Sequence, residues 1–420
     1  MKVLGVVTEY NPFHNGHRYH IEKSREITGC HRGVGVMSGH FLQRGEPALL
    51  NKWQRAEMAV MGGVDLMLEI PTVYACATAE FFSYGSLQLL NKTGIVTDLA
   101  FGSEHGELTA LQRIAKVLVA DPELYRRHLK EALGKGLLFP TARAEALGRY
   151  LSETEGLGAE DLHRLKGILK SPNNILAIEY LKALLRTKSS IRPHTLTRVG
   201  AGYHDRGIEG SIASATAIRE HLAAGGPLNE LQQVLPTASW QQLAEAVDSG
   251  GAPVFSRHFE KVLLALIRRS RPSELKRLFD VTEGIENRIL TAARQNTSLT
   301  ELLEAVKTRR YTYTRIQRIL IHLMLDLAKE DLRDFNRQGG PQYLRVLAFN
   351  ERGRELLSLM KKRGRLPIVT NLKNYRPQNP AAEKMLEFDL RATDLYRLGL
   401  PEPKALPYGA EYKNRPRYVK

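Results

Sequence analysis

Residues 2–17 read KVLGVVTEYNPFHNGH, and this stretch decides the fold of the N-terminal part of the chain. Its first half, residues 2–8, is short, apolar and rich in valine, which predicts a buried first β-strand. A loop over residues 9–14 and a helix that starts near Asn15 are predicted to follow. Ligands of open α/β sheets bind beyond the carboxyl ends of the strands, so this loop is a candidate binding site.

The alternation of strand and helix continues beyond this stretch. Further short apolar strands are predicted at residues 33–38, 65–70, 97–101 and about 194–199, and helices at 52–61, 78–91 and 214–224. Short strands that alternate with helices predict a parallel sheet with crossover helices, which is a Rossmann-like α/β fold. Residues from about 107 to 185 show a helical pattern and are interpreted as an insertion into this domain.

The pattern changes after Pro236. Strand patterns stop there, and helices are predicted at residues 259–268, 286–293, 299–306, 315–327 and 352–361. A chain of 420 residues is too long for one compact core. We therefore predict an α/β domain over residues 1–235 and a mainly α-helical, basic domain over residues 236–420.

The net charge of +16 is unevenly distributed along the chain. Residues 236–420 contain 34 Lys and Arg against 21 Asp and Glu, a net of +13, whereas residues 1–235 contain 27 against 24, a net of +3. A domain this basic is expected to bind a polyanion such as a nucleic acid. A basic surface that serves only solubility is the alternative.

Several features predict a cytoplasmic protein with reduced thiols. No apolar run is long enough to span a bilayer, and no basic region followed by a signal-like apolar stretch is present at the start. The two cysteines, Cys30 and Cys76, lack the spacing of metal ligands, so neither disulfides nor a structural zinc site is expected. Asp65 and Glu69 are interpreted as a cap and a strand end rather than as metal ligands.

His14, Gly16 and His17 form the strongest candidate site, at the start of the first predicted helix. A helix N-terminus offers free N–H groups and a positive dipole end to phosphate. Gly16 permits a phosphate to come close because it has no Cβ. The two histidines can donate hydrogen bonds to oxygens that gain charge in the transition state. The alternatives are that they ligate a metal or that they are a structural pair.

A second candidate element, SIASATAIR at residues 211–219, lies at the start of a later helix. The hydroxyl groups of Ser214 and Thr216, with nearby N–H groups, suit phosphate oxygens. Arg219 follows about one turn later and can bind phosphate bidentately. An ordinary capped helix with a solvated arginine is the alternative.

Further polar positions are predicted at the same edge of the sheet. Gly102 is expected to follow the fourth strand, where a side chain would crowd a bound nucleotide. Asn173 is expected either to contact the ligand or only to cap a helix. Arg198 is expected to end the fifth strand and to reach phosphate or adenine. Gln43 and Arg44, in the loop after the second strand, are candidates for binding a carboxylate or a phosphate, or are solvated loop residues.

Residues 307–318, KTRRYTYTRIQR, interleave basic and aromatic side chains. Basic residues neutralise phosphate, and aromatic rings stack on unpaired bases. The predicted RNA contacts are Lys307, Arg309, Arg310, Tyr311, Tyr313, Arg315 and Arg318. The alternative is a solvated basic helix face with buried tyrosines. The basic cluster at residues 361–365 has the same two interpretations, and the tail over 401–420 is a candidate arm.

The two phosphate-binding elements resemble those of the nucleotidyltransferase superfamily, whose nucleotide-binding fold is shared with class I aminoacyl-tRNA synthetases. A closer resemblance, to the bacterial tRNA(Met) cytidine acetate ligase family, covers residues 1 to about 225 and continues more loosely through 307–318. Its motifs are VVTEYNPFHNGHRYH at residues 6–20, MSGHFLQRGEP at 37–47, GVDLMLEIP at 63–71, FGSE at 101–104, SPNNIL at 171–176 and SIASATAIR at 211–219. Unlike the synthetases, this chain has no lysine in its second element, so the phosphate clamp rests on Ser214, Thr216 and Arg219.

The resemblance implies a ligase that makes acetyl-adenylate from ATP and acetate and then acetylates N4 of the wobble cytidine, C34, of elongator tRNA(Met). His14 and His17 are the expected catalytic residues, and Mg²⁺ is expected to arrive on the ATP phosphates. The expected ATP-binding residues are Val7, Thr8, Glu9, Tyr10, Asn11, Pro12, Phe13, His14, Asn15, Gly16, His17, Arg18, Tyr19, His20, Gly102, Asn173 and Arg198, with Ser214, Thr216 and Arg219 from the second element.

Two other functions stay open on the sequence alone. A metabolic nucleotidyltransferase that acts on a small molecule would share the histidine motif, but it would not need a basic helical domain. A non-catalytic RNA-binding protein on a degenerate nucleotide-binding fold is the other alternative, against which the intact histidine motif argues. The sequence predicts neither the acetate pocket nor the oligomeric state.

Overall fold

The computed structural model describes residues 1–197 and 210–420, which build one β-sheet with helices around it. The strands are β1 (Val3–Thr8), β2 (Arg32–Ser38), β3 (Leu66–Ile70), β4 (Asp98–Ser103), β5 (Arg192–Thr197), β6 (Leu344–Phe349), β7 (Ile368–Val369) and β8 (Arg417–Tyr418). Their order is β5-β4-β1-β2-β3-β6-β7, and β8 pairs with β6. Strands β1 to β5 are parallel, as the sequence predicts, whereas β6 is antiparallel to β3.

The helices connect the strands and form the rest of the molecule. Those before β4 are α1 (Asn15–Thr28), α2 (Lys52–Met61), α3 (Thr72–Ala75) and α4 (Ala79–Lys92). The predicted helical insertion between β4 and β5 consists of α5 (Leu108–Ala120), α6 (Glu123–Gly134), α7 (Phe139–Glu155), α8 (Ala159–Ile168) and α9 (Pro172–Arg186). The later helices are α10 (Ala215–Ala223), α11 (Thr237–Asp248), α12 (Glu260–Arg269), α13 (Pro272–Lys276), α14 (Ile285–Gln295), α15 (Leu299–Val306), α16 (Tyr313–Leu325), α17 (Lys329–Arg337), α18 (Glu351–Arg363), α19 (Pro380–Tyr396) and α20 (Ala410–Lys413).

The first four strands form where the sequence has short apolar runs. In β1, the side chains of Val3, Leu4 and Val6 are almost completely buried, because both neighbours of this strand, β2 and β4, belong to the same sheet. The prediction that β4 ends before Gly102 is wrong. Gly102 pairs with Leu196 of β5, and the parallel pairing continues for one more residue. The neighbouring strand therefore keeps this glycine in the sheet.

The prediction that strands stop after Pro236 is also wrong. The six residues of β6 lie beside β3, and β7 and β8 both pair with β6. Its apolar run is short and contains Arg345, so it does not stand out from the helical segments around it. The sheet consequently contains strands from both parts of the chain. The boundary between two domains at residue 235 stays a prediction.

Buried charges fix β6 and the C-terminal tail against the sheet. Lys52 is completely buried and donates to both carboxylate oxygens of Glu69, at 2.6 and 2.7 Å, and to Glu411. Arg345 donates to Glu411 at 2.8 Å. Burial opposes the charge of Lys52, but the two carboxylates outweigh it and raise its pKa. Since Glu411 is buried and β8 belongs to the sheet, the tail is not the free arm suggested by its composition.

Two further features concern membranes and thiols. Within the two described ranges, none of the helices is long and apolar enough to cross a membrane. Cys30 and Cys76 are buried free thiols. Burial raises the pKa of Cys76 to about 12, so this thiol stays protonated at neutral pH.

Candidate nucleotide-binding site

The histidine motif lies at the carboxyl end of β1, where the sequence places it, and it caps helix α1. His14 is the N-cap residue, and its Nδ1 accepts a hydrogen bond from the N–H of Gly16 at 3.1 Å. The Nδ1 of His17 accepts from the N–H of His14 at 3.3 Å, and the two rings stack with centroids 3.7 Å apart. A neutral imidazole whose Nδ1 accepts carries its proton on Nε2. Each ring therefore has Nε2–H as its hydrogen-bond donor.

This capping corrects one expectation about the helix start. The N–H of Asn15 bonds to the carbonyl of Val234 at 3.0 Å, and the N–H of His17 bonds to the carbonyl of His14 at 2.9 Å. With the N–H of Gly16 bound to His14, the first three helix N–H groups already have partners, so they are not free for phosphate. Gly16 is needed for the cap itself, because a Cβ there would lie 2.9 Å from Cε1 of His14.

The second element is brought against the histidine motif, as predicted. The side chain of Asn15 donates to the carbonyls of Ser211 at 2.9 Å and Gln233 at 3.0 Å, which ties α1 to the segment before α10. Arg219 donates to the carbonyl of Asn11 at 3.1 Å and lies 3.6 Å from Glu46. The Arg219 guanidinium therefore lies between the loops that follow β1 and β2.

The hydroxyl groups of the second element also have internal partners. Ser214 caps α10 by accepting from the N–H of Ala217 at 3.0 Å, as in the ordinary capped-helix alternative. The hydroxyl of Thr216 lies 3.4 Å from Nη2 of Arg219. Their role in holding phosphate stays a prediction.

The other residues of the 7–20 segment differ in what they touch. Tyr10 and Phe13 are buried, and their rings lie 4.8 and 5.7 Å from the ring of His17. Asn11 is buried and accepts from the N–H of Leu49 at 2.7 Å. Arg18 is exposed and pairs with Glu22 on the surface of α1. Aromatic side chains thus hold the catalytic candidate His17 from one side.

Sequence reasoning missed Arg55, which is completely buried in α2 and holds the loops after β1 and β2 together. It donates to the carbonyls of Glu9 at 2.5 Å, Ser38 at 2.9 Å and Leu50 at 3.1 Å, and also to Gly39. Burial lowers its pKa to about 10, which leaves it charged at neutral pH. The signal in the sequence was a basic residue on the apolar side of a predicted helix.

Glu9 is the acidic group of this site. Its carboxylate accepts from the N–H of Gln43 at 2.8 Å, so the main chain of Gln43 is engaged. Burial raises the pKa of Glu9 above the usual range of a glutamate, against this hydrogen bond and the charges of Arg44 and Arg219. Residues 38–47 therefore border the site, while the proposed contacts of Gln43 and Arg44 with substrate stay predictions.

The end of β4 is joined to the start of α9. Asn173 is not a helix cap, because α9 begins at Pro172 and Asn173 is its second residue. Its Nδ2 donates to Glu104 at 2.7 Å, and Glu104 also accepts from the N–H groups of Asn173 at 3.1 Å and Asn174 at 2.8 Å. The cap of α9 is therefore Glu104, a residue from a distant segment. Arg198 lies outside the described residues.

The two acidic residues considered as metal ligands are committed to different cations. Asp65 pairs with Arg25 at 2.8 Å, and Glu69 pairs with Lys52. Asp65 also accepts from the N–H of Gly33 at 2.7 Å. These partners explain both carboxylates without a metal.

The basic segment at residues 307–318 separates into exposed and internal groups. Lys307, Arg309, Arg310 and Tyr313 are exposed, and Lys307 lies over the Tyr313 ring at 4.5 Å. Tyr311 is buried and donates to the carbonyl of Glu283 at 2.6 Å. Arg315 binds the carbonyl of Asp280 at 3.1 Å, and Arg318 is buried against the Asp280 carboxylate at 2.8 Å. The prediction that all seven residues contact RNA is thus revised to the four exposed ones.

The chain matches known proteins along nearly its whole length. A family model described as HIGH Nucleotidyl Transferase matches residues 1–408. The tRNA(Met) cytidine acetate ligase of Alkaliphilus metalliredigens is 46% identical over 402 residues, which are 95% of this chain and 95% of that protein. The ligase of the same name from Acetivibrio thermocellus is 43% identical over 416 residues, 98% of each chain.

A solved structure agrees with these relatives. The crystal structure of Thermotoga maritima TmcAL bound with alpha-thio ATP has a TM-score of 0.93 and 38% identity, and the match covers 100% of this chain and 99% of that one. The apo form of the same protein has a TM-score of 0.94. This chain therefore belongs to the tRNA(Met) cytidine acetate ligase family of HIGH nucleotidyl transferases.

Proposed function

We propose that this protein activates acetate with ATP and transfers the acetyl group to N4 of the wobble cytidine, C34, of elongator tRNA(Met). In the first step a carboxylate oxygen of acetate attacks the α-phosphorus of ATP, and pyrophosphate leaves. In the second step the exocyclic amine of the cytidine attacks the acetyl carbonyl, AMP leaves, and the nitrogen loses a proton. The family to which the chain belongs favours this function over a metabolic nucleotidyltransferase and over a non-catalytic RNA-binding protein.

The observation that carries this proposal is the pair of Nε2–H donors of His14 and His17 at the carboxyl end of β1, beside Arg219. Donors fixed before the reaction stabilise charge that develops on phosphate oxygens at no further cost of reorganisation. The caps described above fix both rings, since each Nδ1 is held by a backbone N–H. The protein thus contributes mainly positioning and charge stabilisation to the adenylation step.

Magnesium is proposed to enter with ATP, where it would neutralise charge on the phosphates. In the part of the chain that the structure describes, no three His, Cys, Asp or Glu side chains form a group suited to a metal of their own. ATP is the proposed nucleotide substrate, and acetate and tRNA are the proposed partners. We expect the reaction to take place in the cytoplasm, where ATP and tRNA are both available.

The test compares His17→Ala with the matched control His31→Ala, whose side chain is exposed at the start of β2. Acetate-dependent exchange between ATP and pyrophosphate should fall about 10²- to 10³-fold in His17→Ala, the usual effect of losing one such donor. The control should keep the wild-type rate. Mass spectrometry of tRNA incubated with ATP and labelled acetate should show acetylcytidine with wild-type protein. A folded His17→Ala variant with normal exchange would overturn the assignment of this residue.

A further inference from the structure

The turn after β4 and the first turn of α9 are clasped by reciprocal hydrogen bonds. The Glu104 carboxylate accepts from the two N–H groups and one side-chain amide already described. In return, Oδ1 of Asn174 accepts from the N–H of Glu104 at 3.0 Å and from the N–H of His105 at 3.2 Å. Bonds in both directions between segments about 70 residues apart fix their relative position. We call these residues, Glu104, Asn173 and Asn174, the β4–α9 clasp.

The clasp fixes which way the Asn173 amide faces. An ionised carboxylate can only accept hydrogen bonds, so the atom of Asn173 that faces Glu104 must be the amide nitrogen. The carbonyl oxygen, Oδ1, is consequently turned away from Glu104. Within the described residues, this oxygen accepts no hydrogen bond, and the Asn173 side chain is half-buried. Asn173 therefore presents a fixed acceptor of unmet capacity.

This acceptor lies at the same edge of the sheet as the histidine motif. Glu104 directly follows β4, and β4 is the neighbour of β1 in the sheet. Parallel neighbours are about 4.8 Å apart, and their carboxyl ends meet at one edge. A nucleotide whose phosphates meet His14, His17 and Arg219 beyond β1 can extend its nucleoside across β4 toward the clasp.

We propose that Oδ1 of Asn173 accepts a hydrogen bond from the 6-amino group of adenine, and that Glu104 is the positioning residue that holds this acceptor in place. The inference rests on the proposed function and names the determinant of its nucleotide specificity. Adenine presents an amino donor at position 6, whereas guanine presents a carbonyl oxygen there. Two facing acceptors leave both groups unpaired, so the fixed amide selects ATP against GTP.

Glu104→Gln tests the positioning role. A glutamine keeps one acceptor but places an NH₂ group against an N–H of α9, which releases the Asn173 amide to rotate. A rotated amide presents Nδ2, a donor that suits O6 of guanine. In acetate-dependent exchange between nucleotide and pyrophosphate, the ratio of kcat/KM for ATP to that for GTP should fall at least tenfold. The change should lie mainly in KM, because the histidines and Arg219 are untouched.

The matched control is Glu107→Gln, which removes a charge three residues further on and outside the clasp. Glu107 pairs with Arg164 and His105 instead, so its variant should keep the wild-type ratio. Asn173→Ala, which removes the acceptor itself, should lower the ratio to a similar extent and replaces Glu104→Gln if that variant fails to fold. Circular dichroism and the melting temperature establish folding in each case.

Two nucleotide analogues separate the base from the ribose as the donor. Purine riboside triphosphate lacks the 6-amino group, and 2′-deoxyATP lacks a ribose hydroxyl. Wild-type protein should discriminate against the first at least tenfold more than Asn173→Ala does, with no such difference for the second. The opposite result would assign the acceptor to the ribose and overturn selection of adenine. An unchanged ATP-to-GTP ratio in both variants would overturn the inference alone, whereas absence of acetate-dependent exchange in wild-type protein would overturn the proposed function.

Discussion

Replacing Arg309 and Arg310 together by alanine should weaken tRNA binding and flatten its dependence on salt. Both side chains are exposed between α15 and α16, and neither makes a side-chain hydrogen bond or ion pair within the described residues. Arg315, only a few residues further on, donates instead to the carbonyl of Asp280 at 3.1 Å and to Glu283 at 3.3 Å. The first two cations are thus available to phosphate, and the third is not.

The size of the effect follows from counterion release. Each phosphate contact changes the slope of log Kd against log salt by about 0.7 to 0.9, so two lost contacts should lower the slope by about 1.4 to 1.8. At a salt concentration of about 0.1 M, the same relation predicts a rise in Kd of about 25- to 60-fold. Acetyl-adenylate formation without tRNA should stay near the wild-type rate, because the ATP site lies elsewhere.

The assay is a titration of tRNA at several salt concentrations for wild type, Arg309→Ala/Arg310→Ala and Arg315→Ala. Arg315→Ala is the matched control, since it removes the same charge from the same segment. It should leave the salt slope unchanged and lower the melting temperature through loss of its internal hydrogen bonds. An unaltered slope in the double variant, or a flattened slope in Arg315→Ala, would refute the division of this segment into exposed and internal groups.

Three further predictions concern the site and the buried charges. Arg219→Ala should raise KM for ATP with little effect on tRNA affinity, and unchanged single-turnover adenylation would assign Arg219 to holding the loops only. Lys52→Met should lower the free energy of unfolding in urea by about 3–5 kcal/mol, because two buried carboxylates lose their cation; removing the exposed Arg18 should change it little. His40 has a pKa well below its usual range because of burial and the nearby cations, so the unfolded chain alone takes up its proton below pH about 6.5. Stability should therefore fall on acidification from pH about 6.5, and His40→Gln should remove up to about 1.4 kcal/mol per pH unit of that slope, measured by urea unfolding between pH about 7.5 and 5.5; equal slopes would contradict it.

The parallel part of the sheet could be predicted from the sequence because its information is local. Each of its strands is a short apolar run followed by a loop and a helix, and both neighbours in the sheet bury it. β6 lacks such a signal. Its position beside β3 depends on pairing between residues about 280 apart, and the charge of Arg345 is tolerated there only because Glu411 compensates it. A local pattern contains neither fact.

The candidate site shows the same limit at the level of side chains. Residue types placed His14, His17 and the second element correctly at one edge of the sheet. They did not show that His14 caps its own helix, or that Glu104 caps α9. The roles of Arg309 and Arg315 also look alike in sequence, and only the positions of Asp280 and Glu283 separate them. What a polar side chain does here depends on partners that lie far away along the chain.

The loop over residues 38–47 gives a physical reason why the strands of residues 236–420 belong in this sheet. Acetyl-adenylate must meet a cytidine base, so the surface that binds tRNA has to border the site that makes the adenylate. One side of the loop is bound to that site, through the N–H of Gln43 and the carboxylate of Glu9. Its other side packs on α16, because Gly45, at φ +77°, lies so close to the main chain of Gln317 and Arg318 that a Cβ would clash there. With β6 fixed beside β3, helix α16 and the exposed cations before it are held near the ATP loop, as a transfer between the two sites requires.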